Sequence, residues 1–313
     1  MISFFSRCAL SVGAAGVLLA GCGGSQNMVS TSRPGAIFTQ GGANKAAPSE
    51  GYLYVYEFGL GRIATLTYPG GKQVRTFRDT GRLCTDPNSG NLYVSTGPYI
   101  DEYTPGGSQN IQNVQLPFGY VGQGCAVDAA TGNIVIAGSK KTGTSTSEAA
   151  VLVYSSLSQN PSIYSDSTKQ YFAFAGYDNG GNLFVDTYSS LEELPKGGNT
   201  FTHISLTQQI INAGTVQWDG SYITVEAPDH RPRIYRVSVS GSVGTIIGEI
   251  KLGKRIFRAP AYSWINGNTV IAPWANSRKN AKIGYWSYPA GGKVPNRILA
   301  GFKYADTLVI GIK

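Results

Sequence analysis

From residue 51 onward the chain is written in short apolar runs separated by clusters of Gly, Pro, Asn, Asp and Ser. Runs rich in β-branched and aromatic residues, each bounded by turn formers, predict β-strands. "GYLYVYE" (51–57), "NLYV" (91–94) and "ADTLVIGI" (305–312) are examples. Helical periodicity is scarce outside the first residues, so the pattern predicts many short strands joined by tight turns.

The punctuation itself repeats. "CTDPNSGNLYV" (84–94) is followed by "CAVDAATGNIVI" (125–136), each with a Cys, an Asp, a turn, then Gly-Asn and an apolar run. Shorter versions are "GYDNGGNLFV" (176–185), "QWDGSYITV" (217–225) and "WINGNTVI" (264–271). A second phrase, a strand, a Pro/Gly turn and another strand, follows as "LTYPGGKQV" from Leu66, "EYTPGGSQN" from Glu102, "ELPKGGNTF" from Glu193 and "SYPAGGKVP" from Ser287. Looser forms are "VYSSLSQNPSIY" and "YRVSVSGSVGTI".

A unit of roughly 40–50 residues with four short strands is the signature of a β-propeller blade. In one unit strand a is "LCTD", b is "NLYV", c is "YIDEY" and d is "NIQNV"; the short Gly turns suit antiparallel hairpins. Six units fall at 51–77, 83–115, 124–166, 171–206, 214–252 and 259–300. The first lacks strand a, and "ADTLVIGI" is a strand without a unit. Pairing the two closes a ring and removes both exposed edges. The expected fold is an all-β, six-bladed β-propeller over residues 51–313, closed by its C-terminal strand. The phrase "GCAVDAATGNIVI" resembles the NHL repeat, which implies a propeller of the NHL, TolB or SMP-30-like kind. Such folds host binding proteins and enzymes alike.

The first residues change the picture of where the protein works. Arg7 and the apolar stretch "ALSVGAAGVLLAGC" read as a targeting segment, too short for a stable membrane span of about 20 residues. "LAGC" (19–22) resembles a bacterial lipobox, which implies removal of residues 1–21 and lipidation, palmitate included, of Cys22. The alternative is a plain secretory peptide with an incidental Cys. Residues 22–50, rich in Gly, Ser, Ala and Pro, read as a flexible tether. The expectation is an extracytoplasmic protein of the cell envelope, periplasmic or surface-exposed, held to a membrane by its lipid.

Composition agrees with this reading and adds a charge asymmetry. The 41 glycines and 19 tyrosines fit many strands and turns. Formal net charge is +8, yet residues 231–303 hold thirteen Lys or Arg and one acid, Glu249; the remainder holds thirteen basic and seventeen acidic residues. The cations concentrate in loops expected at one end of units five and six. His230, Arg231, Arg233, Lys254, Arg255, Arg258, Arg278, Lys279 and Lys282 should share that end, with Trp274 beside them as a stacking surface. The other tryptophans, Trp218, Trp264 and Trp286, read as core. Such an end suits an anionic envelope polymer, carbohydrate or protein. Nucleic acid would meet the electrostatic requirement, but a tethered extracytoplasmic protein rarely encounters it.

Candidate chemistry is thin. The chain has two histidines, and no Ser-His-Asp arrangement can be assembled around His203 or His230. Cys84 and Cys125 lie on strand a of adjacent units with opposite parity, so both can enter one gap between sheets. They either form a disulfide, if their Cα atoms come within about 7 Å, or fill space as free thiols. Asp186 and Glu226 end strand b in consecutive units, with Glu57 one position further on in unit one. Together these carboxylates would be an oxygen site for Ca²⁺ or Mg²⁺, the basis of an alternative reading as an SMP-30-like hydrolase or lactonase. The entrances of strand a carry Arg82, Gln123, Thr215 and Tyr262 rather than acids, which argues against it. The leading expectation is a non-enzymatic binding or scaffold module.

Overall fold

The computed structural model describes residues 50–210, 212–227, 232–253, 262–274 and 280–312. Residues 1–49, with the targeting segment, Cys22 and nearly all of the tether, lie outside the described residues. Among the described residues there is no α-helix; two 3-10 turns, Phe58–Leu60 and Pro105–Gly107, interrupt an all-β chain.

The strands come in six groups. The first is β1 (Gly51–Glu57), β2 (Arg62–Tyr68) and β3 (Gln73–Phe77); the second is β4 (Arg82–Thr85), β5 (Leu92–Thr96), β6 (Tyr99–Tyr103) and β7 (Asn110–Gln115). The third is β8 (Tyr120–Val127), β9 (Ile134–Lys141), β10 (Ser147–Tyr154) and β11 (Ser162–Asp166). The fourth is β12 (Ala175–Tyr177), β13 (Leu183–Asp186), β14 (Leu191–Leu194) and β15 (Thr202–Leu206). The fifth is β16 (Val216–Trp218), β17 (Ile223–Ala227), β18 (Arg233–Ser240) and β19 (Val243–Lys251). The sixth is β20 (Trp264–Asn266), β21 (Thr269–Pro273), β22 (Ala281–Ser287) and β23 (Arg297–Phe302). The last strand, β24 (Ala305–Ile312), pairs antiparallel with β1 and completes the first sheet in the order β24-β1-β2-β3.

The repeated Asp-turn-Gly phrase has a local cause. In the β4–β5 turn the Asp86 carboxylate accepts from the Asn88 N–H and the Ser89 hydroxyl, and Gly90 takes φ 75°. The β8–β9 turn repeats this at Asp128, whose carboxylate accepts from the Ala130 N–H and Thr131 Oγ1, with Gly132 at φ 76°. An Asx-type turn needs a short acceptor at its start, and the left-handed position favours Gly. The phrase encodes a hairpin.

Burial grades outward through each group. The second strands are almost wholly buried, as in β13 and β17, while the outer strands β3, β7 and β11 are largely exposed. Six hydrophobic clusters fill the gaps between successive groups. Tyr54 and Leu92 join the first to the second, Ile100 and Ile136 the second to the third, and Val151 and Leu183 the third to the fourth. Phe184 and Val225 join the fourth to the fifth, Ile250 and Trp286 the fifth to the sixth, and Ile283 and Leu66 bring the sixth back to the first.

One joint differs from the expected set of separate four-stranded units. The fourth and fifth groups share a single eight-stranded sheet, because β15 and β19 pair in parallel at Ser205↔Val243 and Leu206↔Gly244. Gly244 permits that approach: a Cβ there would stand 2.7 Å from Leu206 Cδ2 and 2.8 Å from Ile204 Cγ2. The junction covers two outer edges that would otherwise present unpaired backbone.

Candidate functional site

The innermost strands are neighbours in the order β24, β4, β8, β12 and β16, and β20 lies against β24. The Ile265 N–H of β20 donates to Gln217 Oε1 of β16 at 3.0 Å. These six strands enclose a cavity of about 380 Å³ whose wall is largely apolar. Trp218 and Trp264, expected in the core, are only partly buried and line it.

Arg82 stands at the end of this channel where the first strands begin. Its guanidinium lies 4.6 Å from the ring centre of Phe174 and 4.2 Å from that of Tyr262, contributed by the entrances to the fourth and sixth groups. The two rings touch each other, their centres 4.4 Å apart, so the guanidinium sits in a three-way cluster with them rather than sandwiched between them. Nη1 is buried and has no hydrogen-bond partner among the described residues. Nearby, Asp186 is fully buried; one carboxyl oxygen accepts the Phe174 N–H at 3.0 Å and the other, Oδ2, has no partner. Burial pushes Asp186 well above the ordinary carboxylate range, more than the Phe174 hydrogen bond and the Arg82 charge pull it down.

A pH dependence follows. Burial also raises Asp79, to about 6, despite hydrogen bonds from Tyr103 Oη and the Thr80 N–H. Each group holds its proton more tightly folded than unfolded, so its favourable term is complete below about pH 4 and is lost as pH rises through the folded value. Asp186→Asn keeps an acceptor for the Phe174 N–H and removes the ionisation penalty. Its thermal midpoint is expected to match wild type near pH 4 and exceed it at pH 7; equal shifts at both pH values would contradict the argument.

The three carboxylates proposed for a metal do not assemble. Glu57 binds Arg62 Nε at 2.6 Å and accepts the Lys303 N–H at 2.7 Å. Glu226 accepts from Thr215 Oγ1 at 2.9 Å and from the Ser263 N–H at 2.6 Å, tying the fifth group to the sixth. With Asp186 they serve as fasteners at the ends of buried strands. Among the described residues no three His, Cys, Asp or Glu side chains gather into a potential metal site, so the Ca²⁺ or Mg²⁺ reading has no cluster to stand on.

The cysteines are joined. Cys84 on β4 and Cys125 on β8 form a disulfide with Cα atoms 5.6 Å apart, in the gap between the second and third groups. The free-thiol alternative is set aside by that bond.

The basic end is only partly within the described residues. His230, Arg231, Lys254, Arg255, Arg258, Arg278 and Lys279 lie outside them. Arg233 and Lys282 open β18 and β22, at the same end of the sheets as Asp186 and Glu226. Arg233 is paired with Glu249, which also meets Lys251 at 3.3 Å. Trp274, expected as a stacking surface beside these cations, is at the strand exit after β21 (Thr269–Pro273). It is half-buried against the cluster between the fifth and sixth groups, and its N–H donates to the Lys282 carbonyl.

Some of the cationic excess is structural. Arg236 Nε donates to Asp219 Oδ2 at 2.7 Å, where Tyr288 Oη also donates at 2.5 Å. Burial opposes ionisation of Asp219, yet these bonds hold it below its ordinary range. Arg297 donates across the last joint to the carbonyls of Pro69 and Gly70. His203 pairs with Glu192 at 3.0 Å on an outer strand.

In the sequence Arg82 stands out only as a departure from an acidic channel, and nothing else local marks it as a site residue. Its one signal was a lone cation opening strand a.

The chain is similar in structure to a protein of unknown function from Bacteroides caccae, with a TM-score of 0.61 and 13% identity over 85% of this chain and 100% of that one. It is also similar to a functionally unknown protein from Desulfotomaculum acetoxidans DSM 771, with a TM-score of 0.51 and 12% identity over 84% and 99% of the two chains. The likeness is one of fold alone. No family model and no curated protein matches the sequence.

Proposed function

We propose that this chain is a lipid-anchored, extracytoplasmic binding module: a six-bladed propeller of NHL-like repeats whose basic end meets an anionic envelope polymer, carbohydrate or protein. Six clusters between successive groups, the last returning to the first, support the ring. The "LAGC" tetrad supports attachment through Cys22. The observation that carries the binding reading is the charge partition. Thirteen cations face one acid between residues 231 and 303, and much of that excess sits in loops opening from β17–β18, β19–β20 and β21–β22. Arg233, Arg236 and Arg297 are paired within the fold, so they contribute less to such a field than their number suggests. A surface of one sign concentrates counter-charged partners and accelerates encounter, and it does so less as salt rises.

The test is retention of the mature chain on immobilised polygalacturonate across a salt series. Wild type is expected to elute late and to lose retention with salt. Arg255→Ala combined with Arg278→Ala should elute earlier at every salt concentration. Retention indifferent to both salt and substitution would overturn the proposal. For the anchor, Cys22→Ser should abolish incorporation of labelled palmitate and release the protein from membranes; continued labelling would rule Cys22 out.

A further inference from the structure

The central channel carries a second inference, independent of the basic end. We propose that it is a binding site for a small, flat organic carboxylate, with the apolar body between the inner strands and the carboxylate on Arg82.

The cavity has the size and lining for such a guest. Its volume of about 380 Å³ lies within the usual range of small-molecule sites, about 300–1,000 Å³, which are mostly apolar with a few placed polar groups. Ala126, Val216, Ile265 and Leu308 offer aliphatic wall, and the indoles of Trp218 and Trp264 offer flat surface. An aromatic or similarly planar body suits that lining, since aromatic partners gain from ring contact beyond the area they bury.

Arg82 defines the head group. It borders the cavity, it is the one cation among the described side chains that line it, and its guanidinium is held against the rings of Phe174 and Tyr262. A carboxylate is the acceptor whose charge and geometry suit a guanidinium at the wall of an apolar cavity. Asp186 is held toward its neutral form by burial, while Tyr262 and then Asp306 act on the guanidinium electrostatically. An incoming carboxylate would complete the set. A ligand bearing an amide or alcohol in its place fills the same volume but brings no charge.

The experiment is a fluorescence and calorimetric titration of the mature chain with 1-naphthoate and indole-3-acetate, and with their carboxamides. Trp218 and Trp264 report directly because both line the cavity. Saturable binding of an acid is expected, at least about tenfold tighter than its amide, the scale of a charge-assisted hydrogen bond. Arg82→Met should erase the preference for the acid. The acid–amide comparison on wild type decides the matter even if that variant fails to fold. Equal affinity of acid and amide overturns the proposal, as does the absence of saturable binding by any of the four probes. Arg255→Ala with Arg278→Ala should leave the naphthoate affinity unchanged. A loss there would place the carboxylate at the basic end and overturn the channel site, whereas failure of polyanion retention alone would leave the channel proposal standing.

Discussion

A chain ending at Tyr304 is expected to lose its cooperative thermal transition. Strand β24 is paired along β1 from Gly51↔Ile312 to Val55↔Leu308, and its Leu308, Val309 and Ile310 are 1%, 0% and 5% exposed. Val309 packs into the cluster between the first and second groups, while Leu308 and Ile310 pack into the one between the sixth and first. Burying each such side chain is worth about 1.5–3 kcal/mol. Three of them, with a strand's hydrogen bonds, rival the roughly 5–15 kcal/mol by which a whole domain is stable. Two further ties would go: Thr85 Oγ1 to the Ile310 carbonyl at 2.8 Å, and the Tyr262 N–H to the Asp306 carbonyl at 2.9 Å. Circular dichroism melts of the truncated and full chains check this. An unchanged midpoint would mean that the last strand does not close the structure.

The second large effect belongs to the disulfide. Cys84 and Cys125 are separated by 41 residues, and cross-linking a loop of that length stabilises by about 4 kcal/mol in the chain-entropy account. The double substitution Cys84→Ser, Cys125→Ser should lower the melting midpoint by roughly 10 °C, given about 2–4 °C per kcal/mol for a domain of this size. Dithiothreitol should lower wild type by a similar amount and leave the double variant where it was. A variant that melts with wild type under oxidising conditions would show that the bond contributes nothing. Because both cysteines line the channel, the same variant is also expected to weaken naphthoate binding if the staple holds β4 against β8.

Much of the architecture was legible in residue order because the determining contacts are short-range. Asp86 and Asp128 each cap a turn with their own side chains, so the repeated phrase announces a hairpin wherever it occurs. The same spacing sorted the chain into groups whose strands fall at nearly the anticipated positions: β4–β7 occupy 82–115 where the repeat indicated 83–115. The orphan strands at the two ends pointed to each other by elimination, since pairing them covers two otherwise open edges, and β1 and β24 do pair. The union of the fourth and fifth sheets had no such signal. It depends on Gly244 meeting Leu206, 38 positions earlier in the chain, a relation that no local pattern encodes.

The candidate site divides along the same line. Asp186 and Glu226 looked like ligands because their positions in the repeat match, with Glu57 one position further on, and position in the repeat is visible in sequence. Whether a carboxylate is available depends on what else reaches it. The Ser263 N–H, the Lys303 N–H and Arg62 had already engaged two of the three. Arg82 was passed over for the converse reason: its significance comes from Phe174 and Tyr262, residues 92 and 180 positions away.

By itself, then, the order of residues determined the strands, their turns, their grouping and the lopsided charge, because each follows from neighbours along the backbone or from simple counting. Only the tertiary structure decided which buried acids are spent, which cation faces the channel and which sheets fuse. Those outcomes depend on desolvation and on partners delivered from distant strands, and neither exists until the sheets have packed against one another.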